Sequence, residues 1–199
     1  GDLDAPVLAH EARGAMTLSL AARIVALHDG FSAGALPHAF GGALALAYCT
    51  LDPRATQDID VNVFVGTDRL DDVLAAVPDG VVATGAARRQ LARDGQARLR
   101  WDETPVDVFL SNPPFHEAAA PRCRRVPFGA VDDLPVLACE DLAVFKAFFA
   151  RPKDAVDLTA MVEAEAIDAP HLLAVVADLL GADHPSVAFV ARATGLQPE

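Results

Sequence analysis

The chain has 199 residues, with 16 Lys and Arg against 28 Asp and Glu, a formal charge of −12, and 52% of its positions are apolar. That length suits one substantial core, or a core with a small appended lobe, and the apolar share excludes a disordered chain. No apolar run approaches the roughly 18 residues of a membrane span and no basic start leads into an apolar segment, so the sequence reads as soluble and cytoplasmic, with no membrane partner.

Gly1 to Pro6 carries acids and a proline and is set aside as a frayed end or remnant. From Met16 to His28, Leu18, Leu20, Ile24, Val25 and Leu27 recur at helical spacing, with Thr17 as a possible cap and Gly30 as the stop. Ala39-Phe40-Gly41-Gly42 then leads into an Ala- and Leu-rich helix over Ala43 to Leu51. After the turn at Asp52-Pro53, the run Asp58 to Val65 alternates polar and apolar residues and predicts a strand. A helix from Arg69 to Val77, a short apolar run at Val81-Val82 and an arginine-bearing helix or hairpin from Ala86 to Gly95 follow. Two strands, Ala97 to Trp101 and Pro105 to Leu110, flank a tight turn at Asp102-Glu103-Thr104. Pro113-Pro114 reads as loop, Arg124 to Val126 as a short extended piece and Val136-Leu137 as a last strand. Helices follow at Glu140 to Ala150, Lys153 to Glu165, Pro170 to Leu180 and His184 to Thr194. The order predicts an α+β core with an all-helical C-terminal lobe.

Cys49, Cys123 and Cys139 are scattered and odd in number, which predicts ordinary core thiols and neither a disulfide framework nor a metal knuckle. The six histidines show no zinc-binding spacing. Residues 86–125 hold eight arginines (88, 89, 93, 98, 100, 122, 124 and 125) against five acids, a local surplus that could give an acidic protein one face for a nucleic acid. Of the basic residues only Lys146 and Lys153 are lysines. In an arginine-rich sequence they mark places where a compact point charge is wanted.

Asp58 and Asp60 stand two apart on a predicted strand, so both carboxylates point to one face while Ile59 and Val61 go to the core. Like charges so placed repel, and an Mg²⁺ ion between them relieves the cost. Gly41-Gly42, at a predicted helix start, offers free N–H groups and close approach to a phosphate. Asp107, on another predicted strand, can join the first two acids across a sheet. Three acids and a glycine-opened helix fit two-metal phosphoryl chemistry.

Gly41-Gly42, the run Arg54-Ala55-Thr56-Gln57-Asp58-Ile59-Asp60 and Asp107 among apolar neighbours resemble the polymerase-β-type nucleotidyltransferase superfamily. Glu140 to Lys146, followed by Arg151-Pro152-Lys153-Asp154-Ala155-Val156-Asp157, resembles the helical signature of its AbiEii/MenT toxin branch. The resemblance implies a mixed sheet flanked by helices, with a nucleotidyltransferase core over residues 7–138 and a helical lobe over 139–199, forming one compact unit. It also implies an NTP co-substrate with Mg²⁺, a tRNA 3′ end as acceptor, a toxin role and a cognate antitoxin. On it, Asp58, Asp60 and Asp107 are metal ligands, Asp107 nearest the acceptor hydroxyl. Lys146 holds the triphosphate, Asp157 is a further acid of the site, and Gly41, Gly42, Arg54 and Thr56 lie beside the nucleotide. Where many members carry Ser after the first Gly of the motif, Gly42 is followed here by Ala43, so backbone N–H groups must hold the phosphate. The charge map places the acceptor against Arg88, Arg89 and Arg93. Transfer to a small molecule such as an antibiotic, or to a protein, and a non-catalytic antitoxin or binding module remain as alternatives.

Overall fold

The computed structural model describes residues 18–111 and 114–196; the expected frayed end at Gly1 to Pro6, and Met16 and Thr17, lie outside them. The chain opens with α1 (Leu20–Ala33), capped by Ser19, whose hydroxyl accepts the Ala22 N–H at 3.2 Å. Gly30 does not stop this helix. A Cβ there would collide with the backbone carbonyl of Ala76, so this glycine lets α1 lie close against α3 (Leu70–Ala76).

Among the described residues the sheet has seven strands: β1 (His38–Phe40), β2 (Ile59–Val63), β3 (Val81–Val82), β4 (Gln96–Trp101), β5 (Thr104–Leu110), β6 (Arg124–Phe128) and β7 (Val131–Val136). Their order is β3-β4-β5-β2-β1-β7-β6, with β2 parallel to β5, β1 parallel to β7 and every other pair antiparallel. The expected mixed sheet and the α+β class are therefore present. β2 and β5 sit in the middle, and their alternation has a direct consequence. Ile59, Val61, Val63, Val106, Val108 and Leu110 fill the core, while Asp60, Asn62, Asp107 and Phe109 turn to the opposite face. The strand begins at Ile59, one residue later than expected, and Asp58 immediately precedes it.

Three elements depart from the sequence reading. β1 has three residues, all buried between β2 and β7, so no polar–apolar alternation marks it. Pro114 begins a helix, α5 (Pro114–Ala119), since proline is tolerated in a first helical turn. The last strand, expected at Val136-Leu137, runs instead over Val131–Val136, its start disguised by Asp132 and Asp133.

The remaining helices are α2 (Gly42–Thr50), α4 (Gly85–Asp94), α6 (Cys139–Phe149), α7 (Pro152–Glu163), α8 (Ala169–Leu180) and α9 (Pro185–Thr194). The Ala86 to Gly95 segment is thus a helix, with the Thr84 hydroxyl accepting the Ala87 N–H. α6 packs on α2, and a disulfide joins Cys49 in the last turn of α2 to Cys139 at the start of α6. This corrects the expectation of three core thiols. The two cysteines are 90 residues apart and meet only because these helices cross, while Cys123 stays free. Among the described residues no helix is long and apolar enough to cross a membrane.

Candidate active site

The parallel pairing of β2 with β5 sets Asp60 in register with Asp107, so backbone geometry alone brings two carboxylates side by side. Above them lies the N-terminus of α2. Gly41 donates its N–H to the carbonyl of Asp60 at 2.9 Å, fastening the helix start to the strand. Gly42 has φ +52°, and a Cβ on it would collide with the Asp60 carboxylate. The glycine pair is thus required twice, for a left-handed backbone and for contact with the acid. The N–H groups of Gly42 and Ala43 belong to the first helical turn, where intrahelical partners are lacking.

Asp58 reaches the same neighbourhood through Arg98. The Arg98 guanidinium donates to both oxygens of Asp107 at 2.8 and 2.7 Å and to Asp58 Oδ2 at 3.3 Å. The two carboxylates therefore converge on one cationic group. Burial, reinforced by the charge of Asp107, pushes the Asp60 carboxyl up from 3.8 to about 6; Lys153 and Lys146 pull against that shift and Asp58 adds to it. The bond to Asp107 raises the Arg98 guanidinium further above its ordinary value.

Lys146, on α6, is buried and donates to Asp157 Oδ2 at 2.6 Å, with Asp154 Oδ1 at 3.7 Å. Arg54, in the segment before β2, takes the other oxygen of Asp157 at 2.8 Å. Asp157 thus ties three parts of the chain together: α7, which carries it, α6 and the segment that leads into β2. Asp154 is fully buried, accepts from the Arg151 backbone and side chain, and closes the first turn of α7. Thr56 bonds only locally, its hydroxyl accepting the Asp58 N–H at 3.2 Å.

A cavity of about 410 Å³ opens on one side of Asp60, lined by Gly41, Gly42, Lys146, Arg151, Asn62 and Phe109, among others. A second, of about 300 Å³, lies on the other side and includes Arg54, Thr56, Asp58 and Gly41. Gly41 and Asp60 stand on the wall shared by both. At the floor of the larger cavity Asn62 pairs with His116 at 3.0 Å, and burial holds that imidazole below its ordinary value.

The arginine segment distributes differently from expectation. Arg88 pairs with Asp71, Arg93 with Asp94, Arg100 with Glu103 and Arg122 with Asp141. Arg89 is exposed on α4. Arg98, Arg151 and Asn62 are residues the sequence reading did not assign to the site. For Arg98 a signal existed. With the hairpin turn at Asp102-Glu103, pairing outward from Trp101 and Thr104 sets Arg98 opposite Asp107.

Among the described residues, no three His, Cys, Asp or Glu side chains already form a cluster that could hold a metal ion. The donor set nevertheless suits a hard divalent cation. It consists of three carboxylates, two of them converging on Arg98, while the third, Asp60, is pushed up chiefly by burial and then by the charge of Asp107.

No protein-family model matches the chain, and no curated protein matches it. Solved structures do. The chain resembles the antibiotic-resistance factor ANT(2'')-Ia in its solution structure, with TM-score 0.55 and 14% identity over 79% of this chain and 89% of that one. It also resembles the crystal structure of ANT(2'')-Ia in complex with adenylyl-2''-tobramycin, with TM-score 0.52 and 16% identity over 85% and 95% of the two chains. The chain has a nucleotidyltransferase-type fold. The expectation for the fold is thereby met.

Proposed function

We propose that this protein is a divalent-cation-dependent nucleotidyltransferase that moves a nucleoside monophosphate from an NTP to a hydroxyl acceptor. The observation that carries this reading is the pairing of Asp60 with Asp107 on adjacent parallel strands, directly beneath the glycine-opened start of α2. Asp58, Asp60 and Asp107 would hold the metal, which when bound neutralises phosphate charge and makes the attacking hydroxyl more acidic. The N–H groups of Gly42 and Ala43 cradle phosphate oxygens, helped by the α2 dipole. Lys146, held by Asp157, supplies fixed positive charge on the triphosphate side, and Arg54 steadies Asp157. Asp107 accepts the proton of the acceptor hydroxyl as that oxygen attacks the α-phosphorus and pyrophosphate leaves.

For the acceptor, the pairing of four of the expected surface arginines with neighbouring carboxylates favours a small, cationic, hydroxyl-bearing molecule over RNA. The net charge of −12 attracts such a molecule and repels a polyanion. The solved complex of ANT(2'')-Ia carries an adenylylated tobramycin, which makes an aminoglycoside antibiotic the first acceptor to try. A tRNA acceptor, a toxin role and a cognate antitoxin rest on the helical signature over residues 140–157.

The experiment is to incubate the protein with Mg²⁺ and each α-labelled NTP, adding an aminoglycoside panel or total RNA, beside an Asp60→Asn control. A labelled small molecule that vanishes with Asp60→Asn supports the reading. Labelled RNA, whose yield falls steeply with salt and flattens when Arg88, Arg89 and Arg93 are neutralised together, returns the acceptor to RNA. Label transfer by the folded Asp60→Asn protein at the wild-type rate refutes the site.

A further inference from the structure

Arg98 differs from the other arginines of its segment in what it touches. Its fork is bidentate on Asp107, and one of the same nitrogens extends to Asp58. The backbone fixes this placement. β4 and β5 pair with Arg98 directly opposite Asp107, and strand alternation exposes Arg98 while Ala97 and Leu99 enter the core. Arg98 is therefore aimed at the acids by register.

Two further facts bear on what it does there. Its side chain is half exposed, at 53%, so the guanidinium can swing into solvent without opening the core. Asp60, the most enclosed of the three acids, receives no bond from it and draws its compensating charge from Lys153 and Lys146. Arg98 bridges two carboxylates from different parts of the chain, and a cation so placed offsets the repulsion between them.

We propose that Arg98 is a resident counter-cation of the carboxylate site: its guanidinium stands between Asp58 and Asp107 where a divalent cation binds, and metal entry and guanidinium release are one exchange. This rests on the nucleotidyltransferase reading above, since it takes the three acids as the metal ligands. Arg98 acts through those acids and is a positioning residue. The exchange makes free metal a poor ligand of the resting protein. A metal that arrives with a triphosphate brings the anionic charge onto which the released guanidinium can turn. No covalent step is involved.

The test is Mn²⁺ binding to nucleotide-free protein, followed by electron paramagnetic resonance of the unbound ion, for wild type, Arg98→Gln, Arg98→Lys, Asp107→Asn and Asp60→Asn. Urea unfolding of each variant controls for folding. Removing one cation beside two carboxylates should tighten Mn²⁺ binding about tenfold in Arg98→Gln. Arg98→Lys, which keeps the charge and loses the fork, should fall between it and wild type. Asp107→Asn and Asp60→Asn should each weaken Mn²⁺ binding. Unchanged or weaker binding by folded Arg98→Gln, alongside a loss in Asp60→Asn and Asp107→Asn, overturns the exchange and leaves the metal site standing. Absence of binding in every protein, with and without ATP, overturns both. Should Arg98→Gln not fold, Arg98→Lys carries the test, and failure of both to fold makes Arg98 structural and overturns the proposal.

Discussion

Asp60 stores a cost that pH titrates. In the folded chain its carboxyl is pushed up to about 6 from 3.8, by burial first and then by Asp107. The folded state therefore binds a proton between those pH values that the unfolded state has already released. Stability must fall as pH rises across that window and level off above it. At about 1.4 kcal/mol per pH unit of separation, keeping Asp60 ionised costs the metal-free fold about 3 kcal/mol at neutral pH. Asp60→Asn keeps the shape and removes the charge. With metal chelated, it should match wild type near pH 4 and exceed it by about 3 kcal/mol at pH 7.5, which for a chain of this size is roughly 6–12 °C in Tm. Urea unfolding of both proteins at half-unit pH steps gives the difference curve directly. A difference that does not change with pH, or a less stable Asp60→Asn at pH 7.5, would show that Asp60 is not held against its neighbours as described. On the proposed reading, the gain in stability should come with loss of transfer.

Gly42→Ala puts a methyl group into the Asp60 carboxylate at a positive φ; it should lower stability by about 2 kcal/mol or more and abolish transfer, both read on the purified variant. Lys146→Met should reduce transfer by about 10²-fold. It should also destabilise by about 3 kcal/mol, since it leaves the buried Asp154 and enclosed Asp157 short of a cation, and adding Asp157→Asn should restore part of the stability without restoring activity. Replacing Cys49 and Cys139 by Ser opens a loop spanning 90 residues, a loss of about 4–5 kcal/mol in the chain-entropy picture, read as the gap between urea midpoints of the oxidised protein and the variant.

What could be read in advance was local. Period-two alternation located β2 and β5, and with them the face shared by Asp60 and Asp107, while Asp58 lies just before β2. Capping residues and prolines located most of the later helices. What escaped depended on contacts between distant segments. Gly30 looks like a helix stop until α3 lies against it, and its meaning is close approach. Cys49 and Cys139 carry no pairing signal until α2 crosses α6. β1 shows no pattern because both its faces are covered. The arginine-rich segment read as a basic face because composition counts charges without their partners. Arg88 finds Asp71 seventeen positions earlier in the sequence, a pairing no window centred on the arginines would show.

On the proposed nucleotidyltransferase reading, the same accounting of partners is why a nucleotide would bind together with metal. Besides Asp94, which lines the larger cavity and pairs with Arg93, five carboxylates, Asp58, Asp60, Asp107, Asp154 and Asp157, and five cations, Arg54, Arg98, Lys146, Arg151 and Lys153, form the charged set around Asp60. The first four of these cations are engaged by the acids, and Lys153 adds its field at Asp60. A bare triphosphate entering such a balanced set would find no surplus of positive charge and would face three carboxylates besides. Divalent cations arriving with it supply the missing charge, at the acids that lack it most. On that reading the glycine pair and the buried lysine would act as fixed geometry that places the phosphate chain, while net charge is corrected by what the nucleotide brings. A site built this way discriminates against metal-free nucleotide by electrostatics alone. The raised carboxyl of Asp60 is the same imbalance, seen from the protein's side.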